Sequence, residues 1–341
     1  MQPFVRKMKY SNKESHITPR FERRFFGGDN FLTLNIESSN DVLRWIDWTT
    51  ARFPFRISTV RILKAIKDVL ALFRGDFPGY FACDTRYHDL AHTLRLFPPF
   101  CQIAIALFRK HPATILSMEL ELGLLTILLH DSGYIRKEGD CNGTGAKYTF
   151  HHIDRSVDFA RTYLPSLGYQ EQDLLNVEHM IRCTGIKPKL KQINFTSEGY
   201  RLLGYALGTA DLLSQMSDPH YLRKLSLLFS ELEEAYSYAG PNQLGKMEVQ
   251  RFKSYRDLIQ HTPFFFKKVA GKCLQNMGAV YRLLENPETG LNPYLKRVQE
   301  NMKGITQRSI PHNCYRYPLG QANRRVILTP NSMAGGFHHV L

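Results

Sequence analysis

The apolar run Leu124-Leu125-Thr126-Ile127-Leu128-Leu129 ends in His130-Asp131-Ser132-Gly133, so an ionisable pair stands at the end of a stretch built for burial. Removing an imidazole and a carboxylate from water together is costly unless something offsets it, and a divalent cation is the usual offset. Residues of the same kind interrupt other apolar stretches. Tyr87-His88-Asp89-Leu90-Ala91-His92 carries two histidines at helical i, i+4 spacing, which one helix face holds about 6 Å apart. The segment 205–213 is apolar and helical in pattern and contains one carboxylate, Asp211. His152, with Ser156 one turn on, and His179 sit inside amphipathic stretches. Taken singly, a histidine on an apolar face is more often a hydrogen-bonded core residue than a ligand, an HD dipeptide is commonplace, and Asp211 could be a buried cap or salt-bridge partner. Taken in order they form a pattern: His, then His–Asp, then two histidines, then Asp, each on a helix face.

That order resembles the HD superfamily of metal-dependent phosphohydrolases, over roughly residues 85–238. The resemblance implies that His92, His130, Asp131 and Asp211 hold a first metal, and that Asp131 bridges to a second one held by His152 and His179. His152 is preferred to its neighbour His151 because the superfamily often shows a serine four residues after this histidine, and Ser156 fills that place. Tyr87-His88-Asp89-x-x-His92 is similar to the Tyr-His-Asn-x-x-His signature of class I cyclic nucleotide phosphodiesterases, in which the first histidine is the general acid; His88 inherits that role. Two departures stand out. Asp89 replaces the asparagine, and Ser132-Gly133-Tyr134 follows Asp131 where the phosphodiesterases have His-Asp-x-x-His, which is nearer to bacterial HD proteins.

The implied chemistry is hydrolysis of a nucleotide-type phosphoester, with His88 and Asp131 as the catalytic residues. Two divalent ions clamp a phosphate oxygen and make hydroxide available at neutral pH. A nitrogen and oxygen shell suits manganese or iron, with magnesium as a further option. His88 protonates the leaving oxygen, with Asp89 beside it to keep it charged. Two alternatives stay open on the same ligands: a mixed-valent di-iron oxygenase of the inositol and phosphonate oxygenase type, and a non-catalytic HD module that senses a nucleotide. Between Gly133 and His152 lies a polar, glycine-rich stretch in which Arg136 and Lys147 offer charge for a phosphate; Arg182 and Lys187, after His179, are weaker candidates. The plain reading of that stretch is a solvated connector. It is no P-loop, because Gly143-Thr144-Gly145-Ala146-Lys147 lacks the spacing and a preceding strand.

An all-α HD bundle must position these groups. Helical periodicity begins near Asn40 and recurs over 61–73, from Pro112 to His130, and over 152–164, 173–182, 200–216, 220–238 and 293–302, with almost no strand alternation. This gives an irregular N-terminal arm (1–40), a helical domain (41–290), and a final helix with a basic tail (291–341). With 341 residues, 43% of them hydrophobic, the chain can bury a large core. Six scattered cysteines fit reduced thiols in a cytoplasm better than a disulfide framework. The N-terminus lacks the apolar region of a secretory signal. No stretch reads as apolar over the roughly 20 residues a bilayer requires; the best one, 97–108, holds two prolines and a glutamine before Arg109 and Lys110. The net charge of +14 favours anionic ligands. The expected partner is therefore a small phosphorylated substrate, with neither specific nucleic-acid binding nor a membrane expected and a homo-oligomer left open.

Overall fold

A computed structural model of the chain describes residues 39–185, 188–247 and 251–309. The N-terminal arm to residue 38, Lys187 and the tail from residue 310 lie outside the described residues. The architecture is all-α: α1 (Ser39–Thr50), α2 (Thr59–Arg74), α3 (Leu90–Arg95), α4 (Phe97–Lys110), α5 (Ser117–Leu129), α6 (His152–Tyr163), α7 (Glu171–Ile181), α8 (Glu198–Met216), α9 (Tyr221–Lys246), α10 (Tyr255–Phe264), α11 (Gly271–Asn276) and α12 (Pro293–Ser309). Short 3-10 turns join several of these, and a single isolated bridge, Tyr80 to Lys137, is the one β pairing among the described residues.

Two helices form the centre because their sequences leave no polar face to solvate. Every residue of α5 from Glu119 to Leu129 is buried, and so is almost every residue of α8 from Leu203 to Ser214. Helices that are apolar all round belong inside other helices. Here α2, α7 and α8 pack against α5, while α4 and α12 pack against α8. The helix leading to His130 starts at Ser117 rather than at Pro112. Pro112 instead begins the turn after α4, whose last amide bond is His111 N–H to Leu107 O at 2.9 Å. The helix start is set by Glu119, whose carboxylate accepts the Leu116 amide at 2.7 Å.

Helix α9 runs past the expected end at Tyr238. At Gly240 (φ 70°) the backbone enters the left-handed region that glycine tolerates, and Pro241 follows with no amide to donate. The chain kinks there and continues helically to Lys246. Helix α12 is longer than its pattern indicates and is no separate appendage, since Tyr294, Val298, Met302 and Ile305 belong to the same hydrophobic cluster as the other helices.

Within Leu90–Lys110 an 18-residue window has mean hydropathy 1.3 and is, by length and composition, apolar enough to cross a membrane, contrary to the expectation from sequence. The segment comprises two helices, α3 and α4, and 72% of that window is buried inside the protein. Pro98 and Pro99 open α4, where the first-turn amides have no intrahelical acceptor to lose.

Candidate metal centre

Five of the six expected ligands converge. His92 sits on α3, whose start is fixed by Asp89: its Oδ1 accepts the His92 amide at 2.7 Å. His130 ends α5 and its Nδ1 faces the carbonyl of Ile127 at 2.8 Å. A carbonyl only accepts, so Nδ1 carries the proton and Nε2 is left with its lone pair. The Nδ1 of His152, at the start of α6, meets Thr149 O at 2.7 Å and is fixed in the same tautomer. This is how metal-ligating histidines are usually aimed.

The aimed atoms meet around Asp131. His92 Nε2 lies 3.2 Å from Asp131 Oδ2 and 3.2 Å from Asp211 Oδ1, and His130 Nε2 lies 3.3 Å from Asp131 Oδ2. His152 Nε2 is 3.9 Å from the other oxygen, Oδ1. One atom each from His92, His130 and Asp131 lies within 4.8 Å of the other two, a grouping able to hold an ion. All three residues are buried, yet His92 Nε2, His130 Nε2 and Asp131 Oδ2 make no geometrically sound hydrogen bond. Buried polar atoms are nearly always satisfied, so three orphans pointing at one spot fit a divalent cation. Two imidazole nitrogens and carboxylate oxygens are the donor set of a borderline transition ion.

The charges agree. Burial opposes the imidazolium form of His92, but its contacts with Asp131 and Asp211 outweigh that and push its pKa up to about 10. His130 is raised in the same way, against burial, by Asp131. Burial works against ionisation of Asp131, but His130 and then His92 hold its carboxyl well below the usual carboxylate range, and Asp211 is lowered by His92 against its own burial. Two carboxylates therefore remain ionised inside the protein, where a cation has the greatest effect.

Helix α6 is held against this cluster by one close approach. A side chain at Gly133 would put its Cβ 2.0 Å from His152 O. The Gly133 amide donates to Ser156 Oγ at 2.9 Å, and Arg155 Nε donates to Gly133 O at 2.7 Å. Ser156 thus anchors the helix that carries His152, which gives a structural reason for its place one turn after that histidine. His151 faces the other way, with its Nε2 accepting from Gln243 Nε2 at 2.8 Å.

His179 is not brought to the cluster. Its ring packs edge-on to Phe195 at 5.8 Å, no ion pair joins it to Asp131 or Asp211 among the described residues, and burial lowers its pKa. Its Nδ1 is buried without a hydrogen-bond partner.

His88 stands beside the ligands. Its Nδ1 faces Glu231 Oε2 at 2.7 Å, so Nδ1 is the donor and Nε2 faces Tyr134 Oη at 3.5 Å. The Tyr134 ring stacks on His88 at 4.4 Å and on His152 at 4.6 Å. The partner of His88 is thus Glu231 rather than the adjacent Asp89, whose carboxylate serves as the α3 cap. Glu231 also accepts the Tyr87 amide at 2.6 Å. Sequence reasoning missed Glu231, although it was visible as a carboxylate on the apolar stripe of α9, between Leu228 and Leu232.

The three cations expected to bind substrate are otherwise engaged. Lys147 is only 4% exposed and its ammonium donates to Asp140 Oδ1 and Asn142 O. Arg136 pairs with Asp84 at 2.8 Å and also donates to Asp140 O. Arg182 bridges Asp154 at 2.8 Å and Glu178 at 2.9 Å. The glycine-rich stretch is tied to α9, where Glu234 accepts from both the amide and the hydroxyl of Thr144.

A family model described as Npun_R2479-like matches residues 138–286. The match takes in His152, His179, Asp211 and Glu231 and begins after His130 and Asp131. Neither the curated proteins nor the solved structures contain a match to the chain.

Proposed function

We propose that this protein is a metal-dependent phosphohydrolase of HD type acting on a nucleotide-type phosphoester. The observation that carries the reading is the convergence of His92 Nε2, His130 Nε2 and Asp131 Oδ2, buried and without hydrogen-bond partners. These three residues with Asp211 would hold a divalent ion, and His152 stands against the second oxygen of Asp131. A bound ion of this kind supplies Lewis acidity toward a phosphoryl oxygen and makes hydroxide accessible at neutral pH.

The chain's own residues supply the rest. Glu231 fixes the His88 ring through Nδ1, which leaves Nε2 as the atom that hands a proton to the leaving oxygen. Tyr134, stacked between His88 and His152, sets the spacing between that proton donor and the ligands. Gln215 Nε2 donates to Asp211 Oδ1 at 2.6 Å and orients this carboxylate.

The test is metal content by plasma mass spectrometry on protein purified without chelator, with hydrolysis of a chromogenic phosphodiester followed on the same sample. Bound transition metal together with hydrolysis that chelator abolishes is the expected result. Two irons with no hydrolysis would move the assignment to the oxygenase alternative. No metal under any loading condition would overturn the site.

A further inference from the structure

The resemblance implies a second ion shared by His152 and His179, and the packing of α7 fixes where His179 stands. A side chain at Gly204 on α8 would put its Cβ 2.9 Å from Cys183 Sγ and 3.5 Å from Met180 Cα. One at Gly208 would meet Cys183 O at 2.3 Å. Helix α7 and the turn after it therefore follow α8 in step, Met180 beside Gly204 and Cys183 beside Gly208. Phe195, the edge-on partner of the His179 ring, also reaches Gly204, with its Cε1 3.3 Å from such a Cβ. His179 is thus level with Gly204, about two turns before Asp211, which is roughly 10 Å along the helix axis. Its Cα–Cβ bond leans toward the start of α7, away from Asp211.

Helix α6 sets the same register from the other side of α7. The two run antiparallel: Arg161 reaches Glu178 at 2.7 Å, and Arg182 reaches Asp154 at 2.8 Å. Further on, Ile153 Cδ1 would lie 3.0 Å from a Cβ at Gly185. His152, at the start of α6, is therefore level with the turn that follows α7, more than a helical turn past His179. The residue brought there is Thr184, whose hydroxyl donates to Ile181 O at 2.7 Å.

The donor chemistry agrees. Among the described residues, the one group of three His, Cys, Asp or Glu atoms close enough to share an ion is His92, His130 and Asp131. His179 belongs to no such group, so its unpartnered Nδ1 has no companion donors there. Toward His152 comes Asp131 Oδ1, at 3.9 Å. That pair falls short of the three protein ligands that a catalytic zinc-type site keeps.

We infer that the centre holds a single transition ion per chain, on His92, His130, Asp131 and Asp211, and that His179 is a packing residue of α7. The inference rests on the metal-centre reading above and goes beyond it by setting the number of ions. It also bears on the reaction. A mixed-valent di-iron oxygenase needs two irons on these residues, so a one-ion centre removes that alternative.

The experiment is reconstitution of the metal-stripped full chain with manganese or with iron(II). Bound metal is counted by plasma mass spectrometry after removal of the excess, and the manganese form is examined by electron paramagnetic resonance. About one ion per chain is expected, with the spectrum of an isolated ion rather than of a pair about 3.5–4 Å apart. His179→Gln should keep that ion and that spectrum, with His179→Phe as a second variant should the first fail to fold; His152→Gln should keep them too. About two ions per chain, falling to one in the His179 variants, would overturn the inference and leave the site itself standing. One ion without chelator-sensitive hydrolysis would support the count and overturn the proposed hydrolase. No bound ion would overturn both.

Discussion

Two polar clusters lie close together in this chain and use their groups in opposite ways. Around Asp140, Lys147, Tyr148, Arg136 and Asp84, cations, carboxylates and a phenol are joined to one another and to nearby carbonyls. Around Asp131, carbonyls fix the rings of His130 and His152 from behind, while Nε2 of His92, Nε2 of His130 and Oδ2 of Asp131 are buried without a hydrogen bond. The first cluster is complete as protein and its free energy contribution is structural. The second leaves buried polar atoms without hydrogen bonds, which is costly to the fold and is what a cation could offset. Composition alone does not separate a structural network from a site; unfilled hydrogen-bonding capacity does.

The largest way to break this contrast is at Asp131. Asp131→Ala removes the one carboxylate that, among the described residues, touches His92, His130 and His152 together. It should abolish metal binding and reduce hydrolysis to background, a loss on the order of 10⁴-fold or more. Wild-type metal content in this variant would show that the orphaned atoms are not ligands.

His88→Ala separates proton transfer from ligation. It should retain metal and lose roughly 10²–10⁴-fold in kcat, the usual range for a general acid. Glu231→Gln, acting through His88, should cost about tenfold in kcat with KM little changed. Full hydrolytic rate in His88→Ala would remove His88 from the mechanism and leave the Glu231 pair as packing.

Lys147 tests the other cluster. Lys147→Met removes a buried ammonium and leaves the part-exposed carboxylate of Asp140 with Tyr148 Oη but without its cation. The expected result is a loss of about 2–4 kcal/mol in urea denaturation, with KM unchanged. A raised KM at wild-type stability would restore the substrate role that the sequence suggests and erase the distinction between the two regions.

Much of this was legible in the chain itself. Helical periodicity locates most of the bundle, because the core faces of α2, α6, α7 and α8 are regular. The ligand order is legible because histidine and aspartate are conspicuous inside apolar runs. Glu231 was hidden because its partner His88 is 143 residues away in the chain, and only the fold brings α9 to the segment before α3. The same limit applies to Lys147: a basic residue in a glycine-rich stretch looks free until Asp140 is seen to enclose it. The start of α5 was misplaced because Pro112 suits both a first helical turn and an interhelical turn, and the tertiary contact of Glu119 with Ser197 belongs to the second arrangement.

The smallest expected effect lies at Asp218, between the two extremes: buried, charged and fully partnered. Arg95 and Lys224 each reach its Oδ2 at 2.7 Å, and the His220 amide donates to Oδ1 at 2.7 Å. Burial favours protonation, but Lys224, the His220 amide and Arg95 outweigh it and hold the carboxyl below its ordinary value. A carboxyl depressed in the folded state stabilises the fold above the unfolded pKa of about 3.9, and this contribution disappears as pH falls through the lower folded value. Asp218→Asn should therefore destabilise the protein by about 1–2 kcal/mol at pH 7. The gap between variant and wild type should close as pH drops below about 4. Because Asp131 and Asp211 titrate identically in both proteins, the difference curve from urea denaturation isolates Asp218. A gap independent of pH would mean that the side chain contributes through shape and neutral hydrogen bonds rather than through its charge.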